Sequence, residues 1–389
     1  MADNRPHKTP DLHTTAGSSV PQEAQGAHGG EVYRLARRLG VSPDAILDFS
    51  SNANSLCDDL TRAILEAIPY SYRHYPDTWC SALRDRLAKH EQVSPASVLV
   101  GNGSSENIFL TVQQLRPRTA VLLAPIFSEY VRACEAFGVE YTLIPCREEH
   151  GFACTPRELA LLAEHPADMA IICSPNNPAC VTYENMADIL GAVRARTVVV
   201  DNTYAEFLWG LPEYAANRHA AYSPLLPPHT ELVTVQSFTK FFYCTGVRLG
   251  YSVSSESLTR RLEEGKTPWT VSAFAEQAGL AFMDEQKTLP AYRARLKDMR
   301  RERAAFAAAL TATGMFMEDR IFQGVNFITA RLRHPGQTAE VYAGLLEHAI
   351  LVRVCDNIPG MPPGFLRMQV REQAAWQQLT SVLASLRQA

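Results

Sequence analysis

Four short stretches of this chain carry side chains that could act together on a small, charged ligand. The first is Ser237-Phe238-Thr239-Lys240, followed by Arg248 within Gly246-Val247-Arg248-Leu249-Gly250. A lysine amine becomes a nucleophile only when partial desolvation lowers its pKa. On an open helix face Lys240 would be an ordinary surface charge. Ser237 and Arg248 could clamp a phosphate on the same side. The second stretch is Asp201-Asn202-Thr203-Tyr204, closing the apolar run Val198-Val199-Val200. A carboxylate at the end of a buried strand needs a partner. Capping the next helix would satisfy it, and so would a protonated ring nitrogen. The third, Ser174-Pro175-Asn176-Asn177-Pro178, reads either as a proline-rich turn or as a mount for the Asn177 amide, which could hydrogen-bond a ring oxygen. The fourth, Gly101-Asn102-Gly103-Ser104-Ser105-Glu106, follows a strand and opens a helix. Free N–H groups and small residues there suit an anion. The spacing is neither a full G-x-G-x-x-G nor a Walker loop, so a plain tight turn fits as well.

The elements that must position these residues alternate. Apolar β-type runs occur at Val98–Val100, Ala120–Leu123, Tyr141–Ile144, Met169–Ile172, Val198–Val200, Leu232–Val235 and Gly250–Val253, with helical patterns between them. Most are continuous rather than alternating, as in strands covered on both faces. That predicts an α/β domain with a mixed, mainly parallel seven-stranded sheet, whose ligands bind at the carboxyl ends of the strands. Each of the four stretches follows one of these runs. Beyond about Pro268 the pattern changes. Helices are predicted over Ala273–Met283 and Tyr292–Leu310, and short strands over Asn326–Ile328, Ile350–Val352 and Leu366–Met368. This is a smaller α+β unit. The expected division is a disordered tail over 1–27, an N-terminal arm over 28–75 that joins the small domain, a large domain over 76–270 and a small C-terminal domain over 271–389. A short helix is expected after His28, ending at Gly40.

Hydrophobic residues make up 46% of the 389, charged residues 20%, and the net charge is −4. That describes a globular chain with a substantial core and gives no electrostatic reason to expect nucleic acid. No apolar run is long enough to span a bilayer, and no basic-then-apolar leader opens the chain. The nine cysteines are scattered without a C-x-x-C pair. This speaks against a disulfide framework or a metal site and for reduced thiols in the cytoplasm.

Singly, each stretch is ambiguous; their order is specific. A phosphate loop, an Asn-Pro turn, an Asp-x-x-Tyr and a Ser-x-x-Lys with a following Arg occur in sequence, each after its own strand. In this the chain resembles the fold-type I pyridoxal 5'-phosphate (PLP) enzymes of the class I/II aminotransferase superfamily, from His28 to the C-terminus. The resemblance implies that Lys240 holds PLP as a Schiff base and moves protons at the substrate carbon. It pairs Asp201 with the pyridine nitrogen, gives the phenolic oxygen to Tyr204 and Asn177, and stacks Phe127 on the ring. Ser104, Ser105, Ser237 and Arg248 would hold the cofactor phosphate. Tyr75, in His74-Tyr75-Pro76-Asp77, would reach the phosphate of a neighbouring subunit in a homodimer. Arg367 would bind the substrate carboxylate, with Arg353 and Asn177 also contacting substrate.

Within the superfamily, several details resemble the threonine-phosphate decarboxylases of cobalamin synthesis, relatives of the histidinol-phosphate aminotransferases. They are His28-Gly29-Gly30, Leu47-Asp48-Phe49-Ser50, Phe127-Ser128-Glu129-Tyr130, Ser237–Phe241, Pro268-Trp269-Thr270-Val271, and the pair Arg353 and Arg367. The implied substrate is a phosphorylated amino acid, with His28 helping to bind its phosphate. Five positions depart from the family pattern: Ala179-Cys180 for Thr-Gly, Asn202 for an acid, and Ser55 and Thr245 for prolines. None removes a catalytic group.

Overall fold

In the computed structural model the described residues are 29–69 and 72–387. The expected tail and His28 lie outside them. Seven strands form the main sheet: β1 (Val98–Gly101), β2 (Thr119–Ala124), β3 (Glu140–Pro145), β4 (Ala167–Cys173), β5 (Ala195–Asp201), β6 (Glu231–Ser237) and β7 (Gly250–Val253). Their order is β1-β7-β6-β5-β4-β2-β3. Only β7 runs against its neighbours, β1 and β6; all other pairs are parallel. The last five residues of β4 and of β5 are buried, which is why their sequences are unbroken apolar runs.

A second sheet, antiparallel, follows: β8 (Phe316–Gln323), β9 (Phe327–Leu332), β10 (Arg353–Val354) and β11 (Phe365–Gln369), in the order β10-β11-β9-β8. Sequence reading missed β8. Its middle, Glu318-Asp319-Arg320, is charged, and β8 is a half-exposed edge strand, so the apolar signal is weak. The run predicted over Ile350–Val352 is divided. Ile350–Leu351 pairs in parallel with Leu47–Asp48, and Arg353–Val354 pairs with β11. The long helix covers Thr288–Thr313 rather than Tyr292–Leu310, with Pro290 in its first turn, where no intrahelical bond is lost. The helix Val32–Leu39 ends at Gly40 with φ 68°, a left-handed stop suited to glycine.

Two apolar clusters frame the site. Leu35 and Phe49 of the N-terminal segment pack with Phe306, Phe316, Leu366 and Trp376 of the C-terminal elements. Phe238, Phe241, Phe242, Phe282 and Tyr292 pack around the short helix Phe238–Phe241 that carries Lys240. Lys240 therefore stands on a rigid aromatic base.

Candidate active site

The strand register brings the predicted stretches to one edge of the main sheet. Cys173, just before Ser174, pairs with Asp201 across β4 and β5, and Asp201 pairs with Val235 across β5 and β6. Ser237 pairs with Gly250 across β6 and β7. The Asn-Pro turn, Asp201 and the start of the lysine helix thus leave adjacent strands side by side.

Lys240 is half-buried, and its Nζ donates to the carbonyl of Ser51 at 2.8 Å. Its pKa is lowered to about 8, first by burial and then by the charges of Arg367 and Arg248. An amine so placed carries a useful neutral fraction near neutral pH. Ser51 belongs to the N-terminal segment, which is further held by Gln369, whose Oε1 accepts from Ser51 Oγ at 2.7 Å and from the Ala53 N–H at 3.1 Å. The Lys240 carbonyl in turn accepts from the Asn54 N–H at 2.9 Å.

Asp201 is buried. Its Oδ1 accepts the Thr203 N–H at 2.8 Å, and its Oδ2 accepts the hydroxyl of Tyr130. Burial pushes its carboxyl up; these hydrogen bonds and the Lys240 charge pull it back toward ionisation. Tyr204 is buried, edge-on to Phe327 at 5.4 Å. Burial raises its pKa, while the Arg367 charge opposes that rise.

The anion end is built from the first turn of the helix Gly103–Leu115, where Ser104 and Ser105 lie half-exposed; the Asn102 side chain makes no cap bond, and Glu106 Oε2 accepts the Asn102 N–H at 2.6 Å. Two glycines make room. A Cβ on Gly103, at φ +77°, would stand 2.5 Å from Arg248 Nη2, and one on Gly250 would stand 2.5 Å from the Ser104 nitrogen. The Arg248 guanidinium and the helix N-terminus therefore converge. Arg248 is held by a 3.0 Å bond from Nη1 to the Thr245 carbonyl. Ser237 caps the lysine helix, accepting the Thr239 N–H at 3.3 Å.

Neither arginine of the C-terminal sheet is a solvated surface residue: Arg353 is 5% and Arg367 6% exposed. They are direct partners across β10 and β11. Arg367 Nη1 donates to Asn177 Oδ1, and Nη2 donates to the Ser50 carbonyl at 3.0 Å. Arg353 Nη2 donates to Asn357 Oδ1 at 2.7 Å. Burial, with a smaller contribution from the Arg367 charge, lowers the Arg353 pKa to about 10. Two adjacent buried guanidinium groups can attract anions.

Phe127 stands at the start of the helix Ser128–Ala136, edge-on to Tyr130 at 6.1 Å. Tyr75 stands apart: it is 81% exposed, with its ring 4.8 Å from that of Trp269. The residues after His28 do reach the site. The Gly30 N–H bonds to Ser50 Oγ at 2.7 Å, and a Cβ on Gly29 would stand 2.1 Å from the Ser50 carbonyl oxygen. Sequence reading missed the contact of Tyr130 with Asp201 and the carbonyls of Ser50 and Ser51. Tyr130 could have been found, since it lies one helical turn beyond Phe127. Backbone carbonyls leave no trace in residue types.

The profile of the family described as aminotransferase class I and II matches residues 44–383. A threonine-phosphate decarboxylase of Salmonella typhimurium is 30% identical over 370 residues, 92% of this chain and 96% of that protein. A histidinol-phosphate aminotransferase of Bacillus subtilis is 30% identical over 250 residues, 62% of this chain and 67% of that protein. The crystal structure of L-threonine-O-3-phosphate decarboxylase from Porphyromonas gingivalis superposes with a TM-score of 0.71 at 25% identity, covering 88% of this chain and 99% of that one.

Proposed function

The chain belongs to the class I and II aminotransferase family, and we propose that it binds PLP at Lys240 and decarboxylates O-phospho-L-threonine to (R)-1-aminopropan-2-yl phosphate and carbon dioxide. When bound, the cofactor supplies an aldehyde that captures amines and a protonated ring that accepts an electron pair from the substrate α-carbon. The residues present fit it. The cradle that would be filled by a Cβ at Gly103 or Gly250 takes its phosphate, with Ser104, Ser105, Ser237 and Arg248 as donors. Asp201 is a buried carboxylate available to a cationic ring nitrogen. Tyr204 and the amide nitrogen of Asn177 donate to the ring oxygen; the amide oxygen of Asn177 is already taken by Arg367. Phe127 covers one ring face.

The observation that carries the substrate reading is the juxtaposition of Arg353 and Arg367, both buried and paired across two strands. A substrate with a carboxylate and a phosphate neutralises both. Arg367 takes the carboxylate as a fork, and Arg353 serves the phosphate together with His28. With the substrate held so by Arg367 and Arg353, its carboxylate would leave as carbon dioxide and the electron pair left at Cα would pass to the bound cofactor. Lys240 Nζ then returns a proton to Cα. The similarity to the Salmonella decarboxylase over almost all of both chains supports this reading. Its product would feed cobalamin synthesis. Purified protein supplied with PLP and O-phospho-L-threonine should release carbon dioxide, and absence of release refutes the reading.

The similarity to histidinol-phosphate aminotransferases supports a second reading, transamination. There the same arginines would hold the substrate carboxylate, and Lys240 would remove the α-proton. The active unit is a homodimer in which Tyr75 reaches the partner's cofactor phosphate. Exposed aromatic residues Tyr72, Tyr75, Trp79 and Trp269 give that contact an apolar surface to bury.

A further inference from the structure

Asp201 has two carboxylate oxygens and three claims on them. Oδ1 accepts the Thr203 N–H, and Oδ2 accepts the Tyr130 hydroxyl. A ring nitrogen must share what remains. Tyr130 itself is fully buried, lodged in the apolar cluster with Ile126, Ala133, Cys173 and Val199. Its ring stands edge-on to Phe127, at 85° between planes. Phe127 is the residue assigned to the cofactor face, and Asp201 the one assigned to the cofactor nitrogen. One side chain thus touches both.

From this geometry we infer that Tyr130 is a positioning residue: its hydroxyl locks the Asp201 carboxylate in place and limits how strongly Asp201 can take the proton from the cofactor's ring nitrogen. The inference rests on the PLP reading above and adds a control point to it. A buried carboxylate with one donor fewer is a stronger base. With Tyr130 donating, Asp201 remains an anion that holds the ring N–H. Without it, the proton moves from the ring nitrogen onto Asp201 and the ring becomes a poorer electron acceptor. The ring of Tyr130 meanwhile supports Phe127, so the donor and the stacking face are set by one rotamer.

The test uses full-length protein loaded with PLP labelled with 15N at the ring nitrogen, in wild type, Tyr130→Phe and Tyr130→His. Wild type should give the 15N shift of a protonated pyridine. Tyr130→Phe should move it toward the unprotonated value and lower kcat at least tenfold, with KM changed by less than threefold. Tyr130→His, whose ring N–H can still donate, should recover most of the wild-type shift. A protonated ring nitrogen and unchanged kcat in Tyr130→Phe overturn the inference. If Tyr130→Phe does not fold, a deprotonated ring nitrogen in folded Tyr130→His overturns it instead. A wild-type protein that takes up no labelled cofactor refutes the PLP reading itself, a result distinct from either of these.

Discussion

Arg353 and Arg367 lie opposite one another on adjacent antiparallel strands, and both are buried. Side chains so paired have Cβ atoms about 5 Å apart, where like charges repel. Among the described residues, Arg367 bonds to neutral oxygens, those of Asn177 and Ser50. An anionic group beside the pair would offset that repulsion.

Arg367→Ala should lower kcat/KM for the phosphorylated amino acid on the order of 100-fold, about 3 kcal/mol, as for truncating one partner of a buried charged contact. Arg367→Lys should not rescue it, because a point charge cannot make the planar fork to a carboxylate or hold Asn177 and Ser50 together. Steady-state kinetics with cofactor absorbance checks both. Absorbance should persist, since Arg367 is not assigned to the cofactor.

Lys240 makes stability depend on pH. Its folded pKa, about 8, lies below the ordinary lysine value. Between about 8 and about 10 the unfolded chain binds a proton that the folded chain does not. Stability of the cofactor-free protein should therefore rise with pH through that window, and the penalty should be complete below it. The size is about 1–3 kcal/mol, the lower part applying because the side chain is only half-buried. Thermal melts at pH 7 and 10 should show a difference that Lys240→Met removes. Cofactor capture, which needs the neutral amine, should quicken as pH rises towards about 8 and level off above it, below the window in which stability rises.

Gly103→Ala should weaken cofactor binding tenfold or more while melting only a few degrees lower. The added Cβ meets the tip of Arg248, which can swing away, and the left-handed φ costs about 1 kcal/mol. Gly250→Ala meets the backbone at Gly103 and Ser104, which cannot yield as a side chain can, and should lose more stability. Cofactor titration and melting of the two variants separate these effects.

Much of this was legible in the sequence because it rests on strand ends. Val198–Val200 announces a buried strand, so Asp201 at its end had to be buried and paired. The same logic located Lys240 and the helix start at Gly103. Three things were not legible. The charged edge strand Phe316–Gln323 has no apolar run to betray it. The break between Leu351 and Arg353 depends on pairing with Leu47–Asp48, some 300 residues away in sequence. The bond from Lys240 to the Ser51 carbonyl uses backbone, which every residue has.

Under the proposed function, the arginine pair directs decarboxylation at Lys240. One vessel tests it: holoenzyme, O-phospho-L-threonine labelled with 13C at the carboxylate, and 2-oxoglutarate. The expected products are labelled carbon dioxide and (R)-1-aminopropan-2-yl phosphate in equal amounts, with no glutamate formed. Glutamate, or persistent pyridoxamine phosphate, with the label still in the organic acid would contradict it.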